Sequence, residues 1–193
     1  GERLAAGDVI AFGLADSNVP SERLPALAEK LSGLPAAASR ADASAAVAAF
    51  AETPPPGEIA GQRVLADRLF AFDTVEAVFA ALERDGSDFA ARALGILRTK
   101  SPLSLKVTLR LLRLGRRETS LEACLEREFA ATAAVLRSHD FYEGVRAAVV
   151  DKDRNPRWRP AQLADVTEED VAAFFEPAAE PLFAGETGKG ERP

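Results

Sequence analysis

Apolar residues that recur every three or four positions between residues 100 and 160 are the feature that most constrains the fold. Such a repeat places its members on one face of a helix, whereas a half-buried strand would need strict alternation. Ser101 and Pro102 open the first of these helices, because a serine hydroxyl can bind a free amide and proline fits the first turn. Gly115 ends it. The leucines on its apolar face are Leu105, Leu109 and Leu112.

Further helices are predicted along most of the chain. Several begin with the capping-box pattern, in which a hydroxyl or acidic residue is followed three positions later by an acidic one. These pairs are Asp73 with Glu76, Thr119 with Glu122, Asp140 with Glu143, and Thr167 with Asp170. Residues 14–19 are the one segment with the pattern of a strand. We therefore expect a mostly α chain with at most one short strand near residues 14–19.

Proline, glycine and alanine divide the chain into four segments. Residues 1–33 are predicted to form a helix, the short strand and a second helix. Residues 34–61 are interpreted as a linker that a short helix at 43–50 interrupts, because consecutive prolines at 54–56 exclude a continuous helix. Residues 62–176 are predicted to be a helical region. Residues 177–193 offer little to bury, so they are predicted to be a disordered tail.

The distribution of charge indicates an anionic partner. The chain has 193 residues, of which 47% are hydrophobic and 28% charged, and its net charge is −6. Residues 101–159 nevertheless contain twelve basic and eight acidic residues. This local excess favours an anionic ligand in that region. It is too small, and too poor in interspersed aromatic residues, to indicate nucleic acid.

The reactive side chains form no catalytic or metal-binding pattern. The single cysteine, Cys124, lies in a helical apolar pattern and is interpreted as a small core residue, which excludes disulfides and suggests a reducing compartment. His139 is the one histidine, so no metal-ligand spacing exists. No apolar run is long enough for a membrane span. We expect a cytoplasmic protein, and the excess of Arg and Ala suggests a bacterial source.

Three runs resemble the 3-hydroxyisobutyryl-CoA hydrolases, a branch of the crotonase (enoyl-CoA hydratase/isomerase) superfamily: SPLSLKVTLR, HDFYEGVRAAVVDKD and NPRWRPAQLADVT. The opening GERLAAGDVIAFGLADSNV is similar to an interior step of these chains. Because the sequence also lacks methionine, we expect it to begin inside a longer protein. The resemblance covers residues 1–174 and includes a helical insertion before Ser101 that short enoyl-CoA hydratases lack, which favours the hydrolases.

The resemblance implies that the chain is the C-terminal helical part of an α/β crotonase fold, a spiral of sheets, with residues 1–33 at the end of the crotonase core. In this superfamily backbone amides hold the thioester carbonyl and carboxylates transfer the protons. Those groups are expected upstream of Gly1, in the N-terminal core that this segment would contact. No catalytic residue is therefore expected in the chain, and the fragment alone is expected to be inactive.

The implied substrate is an acyl-CoA, namely 3-hydroxyisobutyryl-CoA of valine breakdown, and CoA is then part of the substrate rather than a cofactor. The sequence reads Asp16-Ser17-Asn18-Val19 where these hydrolases usually have Thr-His-Phe-Val. Two alternatives stay open: an enoyl-CoA hydratase or isomerase of the same superfamily, and a non-catalytic helical assembly module. A homo-oligomer is compatible with either, and neither a nucleic acid nor a membrane is expected as a partner.

The resemblance also implies a contact with the 3′-phosphate of CoA. In similar crotonases a lysine that follows an aromatic residue makes this contact, and here Arg159 follows Trp158 in the same way. The other candidate CoA-binding residues in this run are Lys152, Arg154 and Arg157. Arginine suits a phosphate because its planar fork can donate two parallel hydrogen bonds. The alternative interpretation is a solvated basic surface without a ligand.

Overall fold

The computed structural model describes residues 3–183, and all regular secondary structure in this range is helical. The mostly α prediction is therefore confirmed for these residues. The chain separates into two compact units, Gly1–Arg68 and Leu69–Pro193. The α-helices are α1 (Ala6–Ala11), α2 (Leu24–Ser32), α3 (Arg40–Ala48), α4 (Glu58–Gly61), α5 (Arg63–Leu69), α6 (Val75–Asp85), α7 (Asp88–Leu97), α8 (Pro102–Gly115), α9 (Leu121–Val135), α10 (His139–Val145) and α11 (Glu168–Ala172).

The predicted short strand at residues 14–19 is wrong, since this segment is irregular in the structure. A strand needs a neighbouring strand to accept and donate its backbone hydrogen bonds. Here the carbonyl of Asn18 accepts from the Glu52 amide at 2.9 Å, and the Asn18 side-chain amide donates to the Glu52 carbonyl at 3.4 Å. These bonds join two loops at a single point, so no ladder can form.

A buried carboxylate, Asp8, organises the first unit. It is 2% exposed, and its two oxygens accept from the amide of Ala5 at 3.2 Å and from the amide of Ala60 at 2.8 Å. The second bond ties α1 to α4 across 52 residues of sequence. Gly57 permits this approach, because a Cβ there would lie 2.0 Å from an oxygen of Asp8. Helices α3 and α4 both lie within residues 34–61, the segment interpreted as a linker.

The second unit is built on a helical hairpin formed by α6 and α7. Gly86 ends α6 with a φ of +65°, a left-handed conformation that glycine adopts without steric cost. Ser87 then caps α7 by accepting from the Ala90 amide at 3.3 Å, as predicted. Leu82 and Ala90, which are 1% and 0% exposed, form part of the packed core of this unit.

A second cluster joins α8 to the end of the described chain. Val107 of α8 packs with Val166 and Val171, and Phe174 and Phe175 cover this cluster. The amine of Lys106 also donates to the Val166 carbonyl at 3.1 Å. Helix α8 therefore uses one of its basic side chains to bind a residue that follows it by 60 positions. Within the predicted tail, residues 184–193 lie outside the described range.

Three of the predicted helix caps are displaced by one or two residues. In each case a nearby hydroxyl accepts the amide bond in place of the predicted residue, because it is placed at the extended position just before the helix. The observed caps are Thr74 rather than Asp73, Ser120 rather than Thr119, and Ser138 rather than Asp140. The predicted caps at Ser101 and Thr167 are confirmed.

Asp140 is buried and joins separate elements instead of capping a helix. It is 6% exposed, and one of its oxygens accepts from the hydroxyl of Ser101 at the start of α8. The other oxygen accepts from the backbone amide of Arg159 at 2.8 Å. One carboxylate therefore joins α8, α10 and the segment that follows α10, and a buried polar group so bound is costly to remove.

We predict that Asp140→Ala lowers the free energy of unfolding by roughly 3 kcal/mol, because the Ser101 hydroxyl and the Arg159 amide both lose a charged acceptor. Asp140→Asn keeps the shape and one acceptor, so its effect should be smaller. Denaturant unfolding followed by circular dichroism measures both.

The matched control is Asp165→Ala, which truncates an exposed aspartate of the same unit and should change the stability by less than about 0.5 kcal/mol. If Asp140→Ala and Asp165→Ala have equal effects, Asp140 does not join these elements.

Candidate functional site

The candidate site is the segment that follows α10, residues 151–160, called here the basic loop. Helix α10 continues into a π turn at Arg146–Val150, which the Asp151 amide closes by donating to the Arg146 carbonyl at 2.8 Å. Through this wider turn the chain leaves the helix, although no glycine is present at the helix end. Pro156 and Pro160 then keep the loop out of helical conformation, as the sequence predicts.

Glu143 anchors the middle of the basic loop from within α10. It accepts two bonds from Arg146, at 2.9 Å from Nε and 2.8 Å from Nη2, and a third from the Arg157 amide at 2.6 Å. The Arg146 guanidinium, and after it the Arg157 amide, lower the pKa of Glu143 to about 2 from 4.5. Glu143 is therefore ionised at neutral pH, and its contribution to stability is lost only as the pH falls from 4.5 towards 2.

Arg146 gathers the acidic residues of the loop as well. Its Nη1 donates to Asp151 and to Asp153, each at 2.7 Å, and its Nη2 donates to the Asn155 carbonyl at 3.2 Å. Hydrogen bonds from Arg146, and then from the Asn155 amide, hold the pKa of Asp153 below its ordinary value. Glu143, then Asp153 and Asp151, raise the pKa of Arg146. We call Arg146 and its three carboxylate partners the arginine cluster.

The backbone of the basic loop is strained at two residues. Lys152 has a φ of 57° and Arg154 a φ of 54°, although neither is a glycine. The left-handed conformation costs about 1–2 kcal/mol for each such residue. The Arg154 amide donates to the Ala147 carbonyl at 3.0 Å, which fixes the second of them against the π turn. Strain of this kind persists where the surrounding contacts over-determine the backbone, and it often marks functional sites.

Trp158 and Arg159 fix the far end of the basic loop. The indole Nε1 of Trp158 donates to the Thr99 carbonyl at 3.1 Å, and its ring lies against Gly144 of α10. Asp140 binds the Arg159 amide. A groove of about 420 Å³ runs beside this end, with Val145, Val149 and Trp158 among its apolar walls and Lys100 at its edge.

The four predicted CoA-binding residues all lie on the basic loop with exposed side chains. Within residues 3–183, none of these four side chains forms an ion pair, and the bonds of Arg154, Arg157 and Arg159 come from their backbone amides. The loop thus exposes four cations that are unpaired among the described residues, whereas its two aspartates are paired with Arg146. Whether these residues bind CoA stays a prediction. The residues are Lys152, Arg154, Arg157 and Arg159.

The arginine cluster was missed by the sequence interpretation, which assigned Asp140 and Glu143 to helix capping. Glu143 and Arg146 are three positions apart on a helix, a spacing at which opposite charges meet. Five residues after Arg146, Asp151 and Asp153 alternate with basic residues in the sequence. These two signals together could have indicated the cluster.

The serine, histidine and aspartate at the base of the loop do not form a nucleophilic triad. His139 Nδ1 lies 3.0 Å from Asp140, but the Ser101 hydroxyl donates to Asp140 rather than to the histidine. A triad needs the histidine between the serine and the acid. The Ser101 oxygen also accepts from the Ser104 amide as a helix cap. These three residues are therefore structural.

Other reactive groups in the described part of the chain add no second site. Cys124 is a free thiol, half-buried on α9. Among residues 3–183, no group of three or more His, Cys, Asp or Glu residues is arranged to hold a metal ion. Within the same residues, no helix combines the length and the apolar character that crossing a membrane requires.

Comparison with known proteins finds relatives over nearly the whole chain. The protein is 38% identical over 180 residues to the 3-hydroxyisobutyryl-CoA hydrolase, mitochondrial, of Rattus norvegicus, which covers 91% of this chain and 46% of the relative. It is 37% identical over 185 residues to the probable 3-hydroxyisobutyryl-CoA hydrolase 2 of Arabidopsis thaliana, covering 91% and 48%. The chain thus spans about half the length of the curated relatives that it matches.

Two solved structures are also similar. A carnitinyl-CoA dehydratase from Mycobacterium thermoresistibile is 36% identical with a TM-score of 0.82, over 93% of this chain and 50% of that one. An enoyl-CoA hydratase from Rhodobacter sphaeroides 2.4.1 is 35% identical with a TM-score of 0.77, over 92% and 49%. The sequence profile of the family described as "Enoyl-CoA hydratase/isomerase" matches residues 1–175. The chain therefore belongs to the enoyl-CoA hydratase/isomerase family, the crotonase superfamily that its sequence resembles.

Proposed function

We propose that this chain is the C-terminal part of an acyl-CoA thioester hydrolase that converts 3-hydroxyisobutyryl-CoA to the free acid and CoA. The observation that carries the CoA part of this proposal is the basic loop. Its four cationic side chains are exposed on a backbone that Glu143 and Asp140 hold by hydrogen bonds. The identity of 36–38% to proteins named as 3-hydroxyisobutyryl-CoA hydrolases supports the choice of acyl group and reaction.

In this reaction water adds to the thioester carbonyl and CoA leaves as the thiol. The resemblance assigns the oxyanion-binding amides and the two carboxylates of this chemistry to the half of the relatives' length that this chain does not span. The residues of this chain then bind and orient the substrate at its phosphate end. A cytoplasmic location and a bacterial source stay predictions, and several relatives are mitochondrial by name.

Hydration or dehydration of an acyl-CoA is the second candidate. It is favoured by the two similar structures, whose proteins are named as a dehydratase and a hydratase. Both reactions use an oxyanion hole for the thioester carbonyl, so the basic loop fits either one. The two candidates differ only in whether the thioester bond is broken.

We predict that the protein containing this chain releases free CoA from 3-hydroxyisobutyryl-CoA, because the curated relatives are named as hydrolases. A thiol reagent measures CoA release, and loss of absorbance from crotonyl-CoA measures hydration. Hydration without CoA release would establish the second candidate and contradict the hydrolase. The 193-residue chain alone is the control and should give no CoA release above background.

We predict that Arg159→Ala raises the KM for 3-hydroxyisobutyryl-CoA about tenfold, because one charge-assisted hydrogen bond to phosphate is lost. The KM for the pantetheine thioester of the same acid should change little, since this substrate lacks the 3′-phosphate. The difference should shrink as salt is raised. Arg137→Ala is the matched control, an exposed arginine between α9 and α10. Equal KM changes for both substrates would leave the basic loop as a solvated surface.

An exposed apolar stripe on α9 supports a partner within the same protein. Ala130 and Ala131 on the other side of α9 are buried, whereas the stripe residues are 39–69% exposed. A stripe of this kind on a helix normally packs against another element. We propose that the N-terminal part of a full-length family member covers it. The stripe residues are Leu121, Leu125, Phe129 and Leu136.

We predict that the 193-residue chain alone self-associates, because residues 3–183 leave this stripe exposed. Sedimentation should show a mass above the monomer, and Leu121→Glu with Leu125→Glu should reduce it. Val64→Glu, which changes an 85% exposed apolar residue of the first unit, is the control and should not. A monomer with a cooperative thermal transition would show that the segment is an independent domain.

A further inference from the structure

The arginine cluster separates the charges of the basic loop by sign. Asp151 and Asp153 are both paired with Arg146, at 2.7 Å each, while the exposed side chains of Lys152 and Arg154 form no ion pair within residues 3–183. Acidic and basic residues alternate along this stretch of sequence. In a flexible loop their charges would mix and largely cancel, so the separation depends on the conformation of the backbone.

The separation coincides with the two strained residues. Lys152 and Arg154 are the positions with left-handed φ, and each lies next to an aspartate that Arg146 binds. A left-handed residue reverses the local direction of the chain, which allows both neighbouring carboxylates to reach one guanidinium. The strain and the pairing of these acids with Arg146 are therefore two parts of one arrangement.

We propose that Arg146 is a positioning residue for the binding of acyl-CoA. By pairing with Glu143, Asp151 and Asp153, it fixes the backbone so that Lys152 and Arg154 stay apart from these acids and join Arg157 and Arg159 as one cationic surface for the phosphates of the nucleotide end. This inference rests on the proposed function. It adds a residue that does not touch the substrate and that acts through the shape of the loop.

Two alternatives make different predictions. If Arg146 only stabilises the fold, its loss affects all substrates alike. If the loop acts only through its net charge, removing its acids should strengthen the binding of CoA, because the loop becomes more positive. Positioning by Arg146 predicts the opposite, since the pairing of Asp151 and Asp153 with Arg146 is needed to fix the backbone.

The test uses the full-length protein with the variants Arg146→Gln, Arg146→Lys and the double variant Asp151→Asn, Asp153→Asn. The readout is the ratio of kcat/KM for 3-hydroxyisobutyryl-CoA to that for the pantetheine thioester of the same acid. We expect Arg146→Gln and the double variant to lower this ratio about tenfold, and Arg146→Lys to lower it less, because lysine keeps the charge without the planar fork.

Arg127→Gln is the matched control. Arg127 lies on α9 of the same unit, is similarly buried and pairs with Glu118 at 2.6 Å. It should leave the ratio unchanged. An unchanged ratio in Arg146→Gln, or a higher ratio in the double variant, would overturn the inference. Failure of the proposed function is seen separately, because the unmodified protein would then release no CoA from 3-hydroxyisobutyryl-CoA.

Discussion

The basic loop depends on two carboxylates that accept hydrogen bonds from its backbone. Glu143 binds the Arg157 amide and Asp140 binds the Arg159 amide, so α10 holds the loop at these two residues. Because these bonds use the main chain, the side chains of Arg157 and Arg159 stay free to meet a ligand. Hydrogen bonds to ionised acceptors are about twice as strong as neutral ones, which suits them to holding a solvent-exposed segment.

Pairing also determines which charges around the loop face a ligand. Arg146 binds three carboxylates, and Asp140 accepts from a serine and an amide, so each of these acids has a hydrogen-bond partner. The four remaining cations are exposed and form no ion pair among the described residues, so they present a positive surface. A polyanion such as CoA is the kind of ligand that this surface would attract, and family membership makes an acyl-CoA the natural candidate.

The helices could be predicted from the sequence, but the shape of the loop could not. Helix α8 is capped by Ser101 and ends at Gly115 as expected, because capping involves residues within four positions of one another. The bonds from Glu143 to Arg157 and from Asp140 to Arg159 span 14 and 19 residues, which no local pattern encodes. The prediction of a strand at residues 14–19 was wrong for a related reason, since a strand needs a partner strand that the local sequence cannot supply.

The central claim is that the basic loop has one fixed backbone, and hydrogen exchange of its amides tests this most directly. The Arg157 and Arg159 amides lie in an exposed loop, yet Glu143 and Asp140 bind them at 2.6 and 2.8 Å. In the full-length protein without ligand, we expect both amides to exchange as slowly as amides within α8. Exchange of both at the rate of an unstructured peptide would contradict the account, because the cations would then have no fixed arrangement.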